Sequence, residues 1–199
     1  MRNMETKSRV RKEILKLRNE LDEKEALNRS ISICNRIIES SYYQEMDDIF
    51  VYAALGKEVD LSEFIQKAWK DGKHLFFPKV FGEDMEFYRV FSFDQLEEGC
   101  FHVLEPQEGL EQFSLQASSR CTKILVLTPG VAFLESGARI GYGKGFYDRY
   151  FKRMENADCN FIPVGIAYRF QITNEFEAEA FDYKMKTIFT EKEEVRCNV

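Results

Sequence analysis

The stretch Ile49–Pro78 reads IFVYAALGKEVDLSEFIQKAWKDGKHLFFP. It opens on an apolar run, Ile49 to Ala54, too short for a helix and followed by a Gly56-Lys57-Glu58-Val59 loop, so it reads as a strand. Leu61, Phe64, Ile65, Ala68 and Trp69 then recur at helical spacing behind an Asp60-x-x-Glu63 pair with the form of a capping box. Asp71-Gly72-Lys73 ends that helix, and His74 to Pro78 is a second strand. Strand, helix and strand at these lengths form a βαβ unit with parallel strands. The predicted fold class is α/β: a single three-layer domain over residues 1–199, a mostly parallel sheet with helices on both faces. In such sheets ligands bind beyond the carboxyl ends of the strands, where Glu58 falls.

The pattern extends both ways. Downstream, Ile124 to Leu127 is a strand buried on both faces and stopped by Thr128-Pro129-Gly130. Phe161 to Ala167 and Lys186 to Thr190 are further strands, the latter the last, with a mobile tail expected after Glu191. Met85 to Val90 alternates as an antiparallel strand, and residues 92–120 are mostly loop. Upstream, residues 6–21 form a helix whose buried stripe is Val10, Ile14, Leu17 and Leu21. Lys7, Arg9, Arg11, Lys12, Lys16 and Arg18 lie around that stripe, ordinarily a solvated basic face. Asp22-x-x-Glu25 opens a second helix with Leu27, Ile31, Cys34 and Ile38 inward.

Between two of the strands lies Arg139-Ile140-Gly141-Tyr142-Gly143-Lys144-Gly145-Phe146-Tyr147-Asp148. Glycines at alternate positions permit positive φ and let backbone N–H groups turn toward one point. A helix starting after Gly145 adds its N-terminal dipole there. Arg139 and Lys144 supply positive charge, and Asp148 a carboxylate suited to a metal. The set suits a nucleotide phosphate, although the G-x-G-x-G spacing is neither the Rossmann nor the Walker signature.

A formal charge of −6 argues against a general nucleic-acid binder, so anionic ligands must meet local basic clusters. No apolar run approaches the roughly 20 residues needed to span a membrane, and the charged N-terminus carries no secretory signal. Five scattered cysteines without C-x-x-C spacing fit a reduced, cytoplasmic setting. Two histidines, His74 in a strand and His102 in a loop, give little support to a His triad or His metal site.

The string PGVAF at 129–133, followed by G-A-R-I-G-Y-G-K-G-F-Y-D-R at 137–149, resembles the signature of the 5-formyltetrahydrofolate cyclo-ligase (methenyltetrahydrofolate synthetase) family. The likeness runs over most of the chain. It implies a sugar-isomerase/CoA-transferase-like architecture and ATP- and Mg2+-dependent cyclisation of 5-formyltetrahydrofolate. It further implies that Lys7 and Arg11, four apart on one helix face, bind ATP together with Arg139, Ile140, Gly141, Tyr142, Gly143, Lys144, Gly145, Phe146 and Tyr147. Arg139 and Lys144 would act in catalysis. Ala53, Glu58, Tyr142, Gly143, Lys144, Gly145 and Phe146 would contact the folate, and Asp148 and Asp182 the magnesium. A carboxylate such as Glu58 suits a pterin edge because its two oxygens accept two adjacent N–H groups; in isolation, a glutamate in a βα loop is ordinary surface charge.

Lys79 and Glu105 match family positions too, with a surface lysine and a structural turn as the plain alternatives. Leu134 and Phe181 depart from the family pattern, which carries His at the latter place. The expected partners are a folate and ATP, with no nucleic acid or membrane, and the chain is expected to be a monomer. The alternatives are a non-catalytic folate-binding protein and an ATP-dependent enzyme acting on another small acid.

Overall fold

The structure is a computed structural model that describes residues 2–99, 102–116, 123–179 and 182–198, with side chains from residue 4. Phe181 and two of the five cysteines, Cys100 and Cys121, lie outside them.

The elements run in the order α1 (Arg2–Glu20), α2 (Glu23–Glu39), α3 (Ser41–Glu45), β1 (Asp48–Phe50), α4 (Ser62–Lys70), β2 (His74–Phe81) and β3 (Asp84–Val90). There follow β4 (Leu96–Glu98), β5 (Leu104–Pro106), β6 (Lys123–Pro129), β7 (Ala132–Phe133), β8 (Arg139–Ile140) and α5 (Phe146–Asn156). The last are β9 (Asn160–Ile166), β10 (Thr187–Phe189) and β11 (Glu194–Arg196). Seven strands form one sheet in the order β11-β10-β9-β6-β1-β2-β3. The five central strands are parallel, and β3 and β11 join antiparallel at the two edges.

Successive residues of the central strands face opposite layers, as strand geometry requires. Ile49, Leu75, Phe77, Leu125 and Leu127 pack with Ile33 and Ile37 of α2 and with Phe64 and Ile65 of α4. Phe50, Phe76, Ile124 and Val126 pack with Tyr150, Phe151 and Met154 of α5 on the other face. Helices therefore cover both faces, and both-side burial explains why these strands read as unbroken apolar runs. Val10 and Ile14 of α1 pack on Val131, Ala132 and Ile140 instead, a smaller cluster around the β7–β8 hairpin.

The structure corrects several expectations. In α1 Leu17 is 47% exposed and Arg18 is 4% exposed, so the inward stripe is Val10, Ile14, Arg18, a run of i, i+4 steps. In α2 the inward residues are Ser30, Ile33, Cys34 and Ile37; Cys34 is buried as expected and Ile38 packs against the core, but Leu27 faces solvent. Asp22 does cap α2, accepting from the N–H groups of Lys24 and Glu25. Asp60 caps no helix; its Oδ1 accepts from the Ser62 N–H at 2.8 Å and hydroxyl at 2.6 Å, closing a local turn before α4.

β1 stops at Phe50, and the Val51 N–H makes the last bond toward β2, to Phe76 O. The chain then leaves the sheet, and the Tyr52 hydroxyl donates to Val59 O at 3.0 Å. Residues 92–120 contain the β4–β5 hairpin. The segment beyond Glu191 forms the edge strand β11, with Val195 opposite Ile188, rather than the expected mobile tail.

Candidate active site

A cleft of about 620 Å³ lies at the carboxyl ends of β1 and β6, within the usual size range of small-molecule sites. Its walls include α1, the loop after β1, the 139–148 segment, and Glu179 with Asp182, and residues of β2 and β5 add to the lining.

The glycine turn forms one wall. Gly143 has φ +93° and Gly145 has φ +67°, a region that side-chain-bearing residues seldom occupy. Gly141, expected to share this conformation, does not. Gly145 immediately precedes α5, so the free N–H groups of that helix open next to the cleft. Arg11 crosses from α1, and its Nε donates to Gly141 O at 2.9 Å. Arg139 is buried, with Nη1 donating to Asp148 Oδ1 at 2.7 Å, and its guanidinium lies over the rings of Tyr147 and Phe151 at 5.6 and 5.8 Å. Its Nε and the Tyr147 hydroxyl are buried donors with no hydrogen-bond partner among the described residues.

Lys7 is clamped between Glu179 and Asp182, each at 2.7 Å. Burial works against its charge, but the bonds to Asp182 and Glu179 outweigh it and raise the lysine pKa above 10.5. Asp182 Oδ2 also accepts the Glu179 N–H at 2.9 Å. The Lys144 side chain is exposed at the cleft wall and enters no ion pair among the described residues.

Glu58 forms the opposite wall and is only 7% exposed. Its Oε2 accepts the Leu55 N–H at 2.9 Å and its Oε1 accepts the Tyr142 hydroxyl at 3.0 Å. Burial pushes its pKa above 4.5, opposed by the Leu55 bond, Arg18 and Tyr142. Burial also pushes the Tyr142 hydroxyl up to about 12, so it remains a donor at neutral pH. Behind Tyr142 sits Arg18, whose Nη2 donates to the Tyr142 hydroxyl and whose Nη1 is 3.7 Å from Glu58 Oε1.

Residues 3–191 match the sequence profile of the 5-formyltetrahydrofolate cyclo-ligase family. The chain belongs to that family. A relative from Schizosaccharomyces pombe, a probable 5-formyltetrahydrofolate cyclo-ligase, is 31% identical over 85% of this chain and 87% of its own. A Caenorhabditis elegans protein described in the same words is 29% identical over 96% and 95%. The NMR structure of Aquifex aeolicus 5,10-methenyltetrahydrofolate synthetase superposes with a TM-score of 0.81 at 32% identity, covering 97% of this chain and 93% of that one. The protein is thus a cyclo-ligase-type enzyme of folate one-carbon chemistry.

The residues to which the resemblance gives an ATP, folate or metal role line this one cleft: Lys7, Arg11, Ala53 and Glu58, the run from Arg139 to Asp148, and Asp182. Glu105 lines it too, while its Oε1 accepts the Val80 N–H at 3.3 Å. Lys79 is spent on Pro106 O at 2.7 Å and does not line the cleft. Asp148 and Asp182 are each bonded to a cation, and no group of three His, Cys, Asp or Glu stands ready for a metal among the described residues.

Sequence reasoning missed Arg18. The available signal was its place four residues beyond Ile14, in phase with Val10, where Leu17 attracted the inward assignment by its chemistry. It also missed Glu179, which pairs with Lys7 at the cleft.

Proposed function

We propose that this enzyme catalyses the ATP- and Mg2+-dependent cyclisation of 5-formyltetrahydrofolate to 5,10-methenyltetrahydrofolate, releasing ADP and phosphate. A formamide oxygen is a weak nucleophile and a poor leaving group. In this reading it attacks the γ-phosphorus of ATP, ADP departs, and an iminium phosphate forms on N5. N10 then attacks the formyl carbon, its proton is lost, and phosphate leaves with the former formyl oxygen.

Phosphoryl transfer of this kind needs alignment and charge neutralisation more than covalent help. Lys144, Arg139 and Arg11 take the phosphates with the N–H groups of the glycine turn. Lys7 joins them when its carboxylate partners are shared. Glu58 accepts paired N–H groups of the pterin, and Tyr142 and Phe146 border both ligands. The unpartnered Tyr147 hydroxyl and Arg139 Nε are donors available for a polar ligand atom.

The carboxylates suit Mg2+, which takes one or two protein carboxylates together with phosphate oxygens and water. Asp148 and Asp182 would hold it, and bound there it would neutralise phosphate charge. One observation carries the reading: a cation-rich glycine turn and a buried, doubly bonded carboxylate face the same cleft.

The chain acts in this reading as a single domain, a monomer and a cytoplasmic protein; the seven-stranded sheet supports the first and the buried thiols Cys34 and Cys197 the last. The test is absorbance of the methenyl product with ADP release measured alongside. The reading requires both to appear only when 5-formyltetrahydrofolate and Mg-ATP are present together. Folate binding without ADP release would point to a non-catalytic binder; ATP binding without methenyl formation would point to another acid substrate.

A further inference from the structure

Arg18 is a buried cation with no place in the reaction as described. It is 4% exposed, on α1, and does not line the cleft. Its Nε and Nη1 have no hydrogen-bond partner among the described residues, and Nη2 is bonded to the Tyr142 hydroxyl. Its guanidinium also lies over the Tyr142 ring at 5.7 Å. A buried guanidinium left partly unsatisfied costs stability, so its position needs a compensating use.

The bonds run in one direction. Arg18 donates to Tyr142, and Tyr142 donates to Glu58 Oε1 at 3.0 Å. Such a donor chain ends on the carboxylate and strengthens each bond in it. With the Leu55 N–H on Oε2, each oxygen of Glu58 already accepts one bond and keeps a further lone pair for a ligand.

We propose that Arg18 is a positioning residue for the folate, holding the Glu58 carboxylate oriented and charged through Tyr142. This rests on the assignment of Glu58 to the pterin made above. The groups facing Glu58 come from several elements: Arg18 from α1, Tyr142 from the glycine turn, Tyr147 from α5, Tyr168 after β9, whose hydroxyl donates to Glu58 O at 3.3 Å, and Tyr52 and the Leu55 N–H from its own loop. Arg18 is the cation among them. Removing it leaves burial less opposed, so Glu58 takes up a proton at higher pH. The protonated acid accepts less well and binds the pterin edge more weakly.

The experiment is calorimetric binding of 5-formyltetrahydrofolate across a pH series, with a non-hydrolysable ATP analogue present, for wild type, Arg18→Met, Arg18→Lys and Tyr142→Phe. Arg18→Met is expected to raise the folate Kd by about 10-fold near neutrality, the size of one lost charged hydrogen bond. Its acid limb should move to higher pH, and affinity for the ATP analogue should stay within about 2-fold. Arg18→Lys should restore part of both changes. Tyr142→Phe, which removes only the relay hydroxyl, should move the limb the same way and tests the proposal even where both Arg18 variants fail to fold. A folded Arg18→Met, or failing that a Tyr142→Phe, with unchanged folate Kd and unchanged limb overturns the proposal while leaving the cyclisation reading intact. Wild-type protein that binds no 5-formyltetrahydrofolate overturns both.

Discussion

Lys7 and Lys144 carry the same charge to the same cleft but start from different states. Lys7 must share or leave Glu179 and Asp182 before it can reach a phosphate, whereas Lys144 has no ion pair to give up among the described residues. Lys144→Ala should therefore lower kcat by about 10- to 100-fold, the range set by one charged hydrogen bond, with a smaller effect on folate Kd; steady-state kinetics beside calorimetry checks this. Asp148→Asn should also lower turnover. It should lower the melting temperature as well, because buried Arg139 loses its ion pair. Glu58 sets a pH dependence. Its pKa lies above 4.5 because burial penalises the charged form, so the accepting carboxylate is present above that raised pKa and lost as pH falls through it. Folate affinity should weaken with acidification in wild type, and Glu58→Gln should bind weakly at every pH, with no such limb. An acid limb that persists in Glu58→Gln would place the titrating group elsewhere.

At the scale of elements, backbone geometry separates the glycines. Gly137, in the β7–β8 turn, has φ +92°, and a Cβ there would lie 2.4 Å from Met185 O. That turn is tied back to the C-terminal segment by the Met185 N–H, which donates to Gly137 O at 2.9 Å. Gly56 has a similar conformation, φ +58°, with nothing within 4 Å. Gly137→Ala should cost about 3 kcal/mol or more and Gly56→Ala about 1 kcal/mol, read from urea midpoints. The central strands and α5 were legible because burial on both faces, or a glycine at the helix start, leaves a local mark in the residues. The short β7, β8 and β11 carry no such mark, since two- or three-residue strands depend on partners distant in the chain. The inward phase of α1 failed for a related reason. Arg18 is buried by Tyr142 and Glu58, 124 and 40 positions away, which periodicity within one helix cannot register. The site was legible where it is one continuous run, Arg139 to Asp148, and became complete only when the fold brought α1 and Glu58 to it.

Across the whole molecule, an acidic protein of net charge −6 gathers Lys7, Arg11, Arg139 and Lys144 around one opening. The sheet supports that opening at its carboxyl edge, and β11 closes the far side. Truncation after Glu191 removes β11 and uncovers β10, yet touches nothing in the cleft. It should lower the melting temperature by about 5 °C or more while turnover at low temperature stays within about 2-fold, a pattern seen by combining thermal melts with kinetics. The central claim is that the formyl oxygen of the folate and the γ-phosphate of ATP meet directly between the glycine turn and Glu58. It is tested most directly by following 5-formyltetrahydrofolate labelled with oxygen-18 in the formyl group through turnover with Mg-ATP. The account predicts one labelled oxygen in each phosphate released; unlabelled phosphate, with the label recovered in water, would contradict it.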